Sequence, residues 1–295
     1  MDGLIVVDKP GGMTSHDVVA RIRRLAKTRR VGHGGTLDPM ATGVLIIGVN
    51  RATRLLTYVI GAEKSYTATI RLGVSTITDD AEGEVTGRAS AAGVTDEAVR
   101  AELARQVGEI EQVPSAVSAI KINGQRAYKR VRDGEDVEIP ARRITIHRLD
   151  VLDIRRGADD GQDFVDVDVD VTCSSGTYIR AIARDLGRVL GVGGHLTALR
   201  RTAVGALTLA EASTLAELEE RAPDVIGLPM AEAAARAFPR RNATEEETRV
   251  LSHGGPLAPA GIDGPYAVFD PAGALLAIVS ERDGRAKPEI VLSPA

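Results

Sequence analysis

One carboxylate, Asp38, stands in the segment GHGGTLDPMATGVL (Gly32–Leu45), five residues after the imidazole of His33 and directly ahead of an apolar run, Val44–Val49. Aspartate and histidine are the residue types of acid–base and nucleophilic chemistry, and the surrounding glycines would let another backbone approach closely. The same composition describes a surface turn, because an aspartate side chain readily accepts hydrogen bonds from nearby backbone N–H groups. On composition alone, Asp38 reads as a turn cap. The signatures that would give it another partner are absent. Neither KPGGMTS nor GHGGTLDP has the lysine of a phosphate loop, and G-x-G-x-x-G does not occur. The histidines never fall at i, i+4, so no zinc helix is encoded, and G-x-S-x-G is missing.

Composition narrows the class. The chain has 295 residues, enough for one large domain or a large and a small one, with 43% hydrophobic and 26% charged residues. Cys173 is the single cysteine, so neither an intrachain disulfide nor a cysteine-based zinc site can form. The first apolar stretch, Leu4–Val7, ends at Asp8, and no run reaches the roughly 18 apolar residues of a membrane span. The expectation is a soluble, cytoplasmic protein. The net charge of −4 is unevenly spread. Residues 21–54 hold eight basic residues (Arg21, Arg23, Arg24, Lys27, Arg29, Arg30, Arg51, Arg54) against Asp38, so this segment carries +7 and the remainder −11. Residues 121–132 add five basic residues and no acid, and residues 178–201 hold five arginines and one aspartate. Three such segments on an acidic chain suggest a one-sided polyanion footprint.

The elements that must position these residues follow from periodicity. Thr14 or Ser15 can cap a helix burying Val18, Val19, Ile22 and Leu25. The glycine loop then leads to the strand Val44–Val49 and a helix from about Ala52 to Val59. Lys64–Leu72 alternates strictly, with Tyr66, Ala68, Ile70 and Leu72 on one face. TDDAEGE reads as an acidic turn, and Thr95 as the cap of a helix from Asp96 to about Val107. Ser118–Ile122 closes on Asn123-Gly124 as a hairpin. Ile144, Ile146 and Val151–Ile154 suggest further strands, and Phe164–Val171 a strand with an acidic solvent face of Asp166, Asp168 and Asp170. A helix is expected from Thr177 through Leu190, with Arg180 and Arg184 one turn apart. The pattern is α+β, with a mixed, mostly antiparallel central sheet. Beyond about residue 225 the character changes to a Pro-punctuated stretch and short strands at Tyr266–Asp270, Ala274–Ser280 and Lys287–Leu292. This gives an expected division into 1–225 and a small β-rich domain at 226–295.

Five segments occur in a fixed order: LIVVDKPGGMTSHDVV, GHGGTLDPMATGVL, EKSYTATIRLGVSTITDDAEG, VSAIKINGQRAY and CSSGTYIRAIARDLG with GGHLTALRRTAVG. Together they resemble the TruB family of tRNA pseudouridine synthases over about residues 3–210. The C-terminal stretch resembles that family's PUA RNA-binding domain loosely and at shortened length. The resemblance implies the pseudouridine synthase fold and the isomerisation of uridine 55 in the tRNA T loop. It implies no metal and no cofactor, because the reaction is redox-neutral. Asp38 matches the nucleophile of G-[TA]-L-D-P, Arg180 the arginine of G-T-Y-I-R that keeps it ionised, and Tyr66 the tyrosine over the flipped uracil. His33 matches the residue that enters the space the nucleotide vacates, and Tyr178 and Leu199 match residues lining the base pocket. Lys9, Lys121, Arg200 and Arg201 are the weaker candidates for contacts to RNA backbone. The partner implied is the tRNA T stem-loop, engaged by a monomer. Two departures stand out: Val117 where the family has tyrosine, and Tyr128-Lys129-Arg130-Val131-Arg132 where it has Y-x-x-A-R. The competing readings are a non-catalytic RNA-binding or tRNA chaperone module, and a small-molecule enzyme with an aspartyl nucleophile.

Overall fold

The structure is a computed structural model describing residues 2–115, 121–122, 125–126 and 139–293. Eighteen strands appear among these residues. In chain order they are β1 (Gly3–Lys9), β2 (Val31–Gly34), β3 (Thr42–Val49), β4 (Lys64–Leu72), β5 (Val74–Thr76), β6 (Val85–Arg88), β7 (Gly108–Gln112), β8 (Lys121–Ile122) and β9 (Gln125–Arg126). They continue as β10 (Arg142–Asp159), β11 (Gln162–Cys173), β12 (Gly194–Val204), β13 (Leu207–Thr208), β14 (Leu228–Pro229), β15 (Arg240–Asn242), β16 (Tyr266–Phe269), β17 (Leu275–Arg282) and β18 (Arg285–Val291).

Ten of these strands form one sheet in the order β14-β1-β3-β12-β4-β11-β10-β7, with β13 on β12 and β2 on β3. Within this sheet β12 runs parallel to β3, and the other ladders are antiparallel. The expected mixed, mostly antiparallel sheet of an α+β fold is present. One edge of β3 is shared by two strands: β2 pairs with Ile46–Val49, and β12 meets only Thr42 and Gly43. The sheet therefore forks at β3, and the loop between Gly34 and Thr42 lies at the fork.

Alternation decides which face of each strand is buried. Lys64, Tyr66, Ala68, Ile70 and Leu72 of β4 point into the core, where helix Ile179–Val189 packs. The opposite face is polar but not bare. Asp166 of β11 accepts two 2.8 Å bonds from Arg71, Asp168 accepts from Thr69 at 2.7 Å and pairs with Arg155, and Asp170 pairs with Arg148. The aspartates expected to face solvent alone are thus ion-paired to neighbouring strands.

Several boundaries differ from the sequence reading. His33 lies on β2 rather than in a loop, because Val31–Gly34 finds a partner edge on β3. The helix after β3 begins as a 3₁₀ segment, Asn50–Leu55, and becomes α-helical only over Leu56–Gly61. Ile144 through Ile154 belong to one strand, β10, because bulges near His147 and Leu152 bend it without ending it. The helix capped by Thr95 ends at Ala104, and the later helix begins at Ile179 with Tyr178 at its N-cap. The hairpin Lys121–Ile122/Gln125–Arg126 forms, while Asn123, Gly124, Val117 and the segment 128–132 lie outside the described residues.

The strands expected near the C-terminus form a four-stranded sheet, β15-β16-β17-β18. A second apolar cluster joins it to the back of the main sheet through Val6, Val44, Ile46, Phe269 and Ile278. Arg51 and Arg54 fasten the same junction by donating to the carbonyls of Leu292 and Val291.

Candidate active site

The Asp38 loop is clamped from the turn that follows β1. Lys9 is fully buried and donates from Nζ to the carbonyls of Pro10 (2.8 Å), Met13 (2.6 Å) and Pro39 (3.1 Å). Ser15 Oγ donates to the Leu37 carbonyl and accepts from the Leu37 N–H at 2.9 Å. Gly35, at φ +86°, turns the chain off β2 in a conformation that a side chain disfavours. These contacts explain why KPGGMTS and GHGGTLDP occur together: one turn holds the other.

Arg201 fills the fork itself. The residue is 1% exposed, and its guanidinium donates to the carbonyls of Val44 (2.7 Å), Thr36 (3.3 Å) and Gly35 (3.1 Å). It supplies β3 with a partner where neither β2 nor β12 reaches. It also donates to the hydroxyl of Tyr66, its direct cross-strand neighbour. Lys9 and Arg201 are therefore interior groups. Both were expected as contacts to RNA backbone; in the fold their cations are taken up by main-chain carbonyls. Arg200 projects to the other face of β12 and is bound bidentately by Asp8 at 3.0 and 2.7 Å, so its charge is largely met. The backbone of Lys121 is placed on β8, and its side chain lies outside the described residues.

A cavity of about 300 Å³ opens above this floor, lined among others by Asp38, Lys64, Tyr66, Tyr178, Leu199 and Arg180. Arg180 Nε lies 3.1 Å from Asp38 Oδ2, and its Nη1 lies 3.2 Å from Asp80 Oδ2 and 2.8 Å from the Thr78 carbonyl. Burial raises the Asp38 carboxyl above the usual range; the Arg180 charge opposes that rise, and the Asp80 charge adds to it. Burial likewise raises the Tyr66 phenol, which holds it in the protonated form. Lys64 donates to the carbonyls of Ile60 and Ala62, and burial beside Arg201 brings its ammonium down to about 8. His33 stands edge-on to His16 with ring centroids 5.3 Å apart. Its Nδ1 is buried and has no partner among the described residues, and burial lowers its pKa, which favours the neutral ring.

Tyr178 is half-buried, and its backbone is held on both sides by the amide of buried Gln112, at 2.8 and 3.1 Å. The cavity thus combines a carboxylate braced by arginine, a tyrosine hydroxyl, and apolar walls that include Leu199. That set suits nucleophilic attack on a flat, uncharged ring or its sugar.

Residues 23–179 match the TruB family pseudouridylate synthase N-terminal domain. The chain belongs to the TruB family of pseudouridylate synthases. Residues 180–224 match the tRNA pseudouridylate synthase B C-terminal domain, and residues 238–293 the tRNA pseudouridine synthase II C-terminal domain. The protein is 56% identical over 307 residues to the tRNA pseudouridine synthase B of Arthrobacter sp. (strain FB24), covering 100% of this chain and 98% of the relative. It is 56% identical over 292 residues to that of Thermobifida fusca (strain YX), covering 99% of both. Among solved structures, a chain of the archaeal box H/ACA sRNP Nop10–Cbf5 complex superposes with a TM-score of 0.70 at 26% identity, over 99% of this chain and 86% of that one. A Cbf5–Nop10–Gar1 complex gives 0.72 at 25%, over 99% and 85%. TruB-family membership makes this chain a pseudouridine-forming isomerase.

Two parts of this TruB-family site escaped the sequence reading. Asp80 sits in what read as an acidic turn, yet its side chain is 3% exposed and bridges Arg180. The available signal was a match of spacings: Asp79 and Asp80 are adjacent, and Arg184 and Arg180, one helical turn apart, take one each. Lys64 was visible only as the first inward position of an alternating strand.

Proposed function

We propose that the protein converts uridine 55 in the T loop of tRNA to pseudouridine, with Asp38 as the nucleophile. That the product is pseudouridine in tRNA is the activity carried by the family; the position and the residue roles go beyond it. In this reading the target nucleotide leaves the stack and enters the cavity over Tyr66 and Leu199. His33 occupies the space left behind. Asp38 forms a covalent bond to the substrate, the N1–C1′ bond breaks, the uracil turns, C5 bonds to C1′, and cleavage of the bond to Asp38 returns the free carboxylate. The C5 proton is lost and N1 gains one, so the product is an isomer. The observation that carries the reading is the 3.1 Å contact between Arg180 and Asp38 at a cavity that also presents Tyr66.

Residues 1–225 form the catalytic part and 226–295 an auxiliary RNA-binding part. The four-stranded sheet with its own apolar cluster supports this division. A monomer acting on the T stem-loop in the cytoplasm is the simplest setting; among the described residues no helix is long and apolar enough to cross a membrane. The test is tritium release from tRNA labelled at uridine C5. Asp38→Asn should abolish release while the protein stays folded. Full release by that variant would overturn the assignment of Asp38, and a product mapped outside the T loop would overturn the position.

A further inference from the structure

The basic segment that begins the chain's positive bias divides into two groups. Arg21 pairs with Glu219, Arg23 donates to the Val31 carbonyl, Arg51 pairs with Asp2, and Arg54 donates to the Val291 carbonyl. These four have partners within the chain, although Arg23, Arg51 and Arg54 remain exposed. Arg24, Lys27, Arg29 and Arg30 are all exposed, and among the described residues none has an acidic partner. They fall within seven residues, on the turn joining helix Ser15–Leu25 to β2.

That turn is rigid. Lys27 N–H donates to the Arg24 carbonyl and Thr28 N–H to the Arg23 carbonyl, the paired bonds that close a helix C-terminus. Lys27 occupies the left-handed position at φ +49°, where glycine is ordinarily favoured. The chain keeps a cation there in spite of the conformation. Thr28 Oγ1 then donates to Asn50 Oδ1 at 2.8 Å, and the Asn50 N–H to the Arg30 carbonyl at 2.7 Å, which pins the turn to the end of β3.

Its location has two neighbours of interest. Three residues along β2 from Arg30 stands His33, about 10 Å away at the strand rise. On the other side, Arg51 and Arg54 lead directly to Leu292 and Val291 of the C-terminal part. The unpaired cations therefore lie at the Asn50 end of β3, opposite the end that receives the Asp38 loop and beside the junction with the C-terminal sheet. Asp224 lines a small cavity with Ala26 and Asn50, and among the described residues it forms no ion pair with these cations.

We propose that Arg24, Lys27, Arg29 and Arg30 form a docking surface for the phosphate backbone of the stem that leads away from the reacting uridine toward the C-terminal part. This rests on the reading of the substrate as a tRNA. The partner is RNA backbone, because the surface offers four cations on one hydrogen-bonded turn, and the small cavity beside it is lined by none of them. Cations at a helix C-terminus also complement its dipole, so the four could serve stability alone. The experiment separates these roles.

The affinity of full-length tRNA is measured across a salt series for the wild type and for R24Q/K27Q/R29Q/R30Q, alongside single-turnover pseudouridine formation at saturating enzyme. The expected result is affinity lower by tenfold or more at low salt and a shallower dependence of log K on log salt, by roughly 0.7–0.9 per lost phosphate contact. The saturated rate should be unchanged. The charge-keeping variant R24K/K27R/R29K/R30K should restore most of the affinity. A T stem-loop cut to a few base pairs should lose less from the neutralisation than whole tRNA does. An unchanged salt slope in the neutral variant, or a loss confined to the saturated rate or to thermal stability, would overturn the proposal. A wild type that forms no pseudouridine would instead overturn the reading beneath it.

Discussion

Asp80 meets Arg180 at 3.2 Å on the side of the guanidinium away from Asp38, and its carboxylate is in turn fixed by the Thr78 hydroxyl and the Glu82 N–H. The arginine is thus held from behind while Nε faces the nucleophile. In Asp80→Asn the brace loses its charge. The expected outcome is a single-turnover rate down by about tenfold or more, with tRNA affinity little changed. Because Asp80 also pushes the Asp38 carboxyl upward, the acid limb of the pH–rate profile should move to lower pH in the same variant. An unmoved limb would show that the two carboxylates do not sense each other.

Arg180→Met should remove the charge that keeps Asp38 ionised. The rate is expected to fall by about 10²-fold or more and the acid limb to move to higher pH. The variant should also lose roughly 3–5 kcal/mol of stability, because Asp80 is left buried beside Thr78 without its cation. Chemical denaturation checks the second outcome independently of activity.

Asp38→Asn is expected to unfold at a higher temperature than the wild type at neutral pH. The folded carboxyl is raised above its ordinary value. Its contribution to stability is therefore full below the unfolded pKa and is lost as pH rises through the folded one. An amide does not titrate, so the gap in melting temperature should widen from acid to neutral pH. Scanning calorimetry at several pH values measures it. An inactive but more stable variant would mean that the site holds its nucleophile against the preference of the fold.

His33 and His195 give the opposite slope. Burial lowers both. The unfolded chain then binds more protons than the folded one just below the ordinary histidine pKa of 6.5, so stability should fall as pH drops through that region. His195, whose Nδ1 lies 2.8 Å from the Val74 carbonyl, does not line the Asp38 cavity. His195→Asn should flatten the stability profile and leave the pH–rate profile alone.

Arg201→Met should cost several kcal/mol, because the carbonyls of Val44, Thr36 and Gly35 lose a donor in a buried fork. Tyr66→Phe keeps the packing and removes only the hydroxyl that Arg201 orients. It should therefore lower the rate with little change in melting temperature. A rate loss in Arg201→Met beyond that of Tyr66→Phe would assign the loop itself to Arg201.

Alternation made β4 legible residue by residue, since inward and outward positions are set by a period of two. The Thr95 cap was legible for a similarly local reason. The strand β2 was not, because four residues with two glycines have no periodicity of their own and become a strand only when β3 offers an edge. The fate of a charge was the least legible feature. Lys9, Arg201, Asp80 and Arg24 carry similar local signals, yet three are interior and one is free. What separates them is which carbonyl, carboxylate or solvent the folded chain places opposite, and that is a long-range property. Asp38, Tyr66, Arg180, Tyr178 and Leu199 do meet at one cavity, from segments more than 100 residues apart.

The ladder between β12 and β4 slips by one residue on either side of Leu199–Arg201, at Thr197 and at Thr202. The two slips leave a short stretch in which Leu199 and Arg201 face the cavity side while Arg200 faces Asp8. Leu-Arg-Arg is therefore read in a fixed frame. A one-residue insertion or deletion between the slips would exchange the two arginines, setting the guanidinium that belongs to Asp8 beneath Tyr66. The surface turns of this protein have room for length variation, but this tripeptide has none.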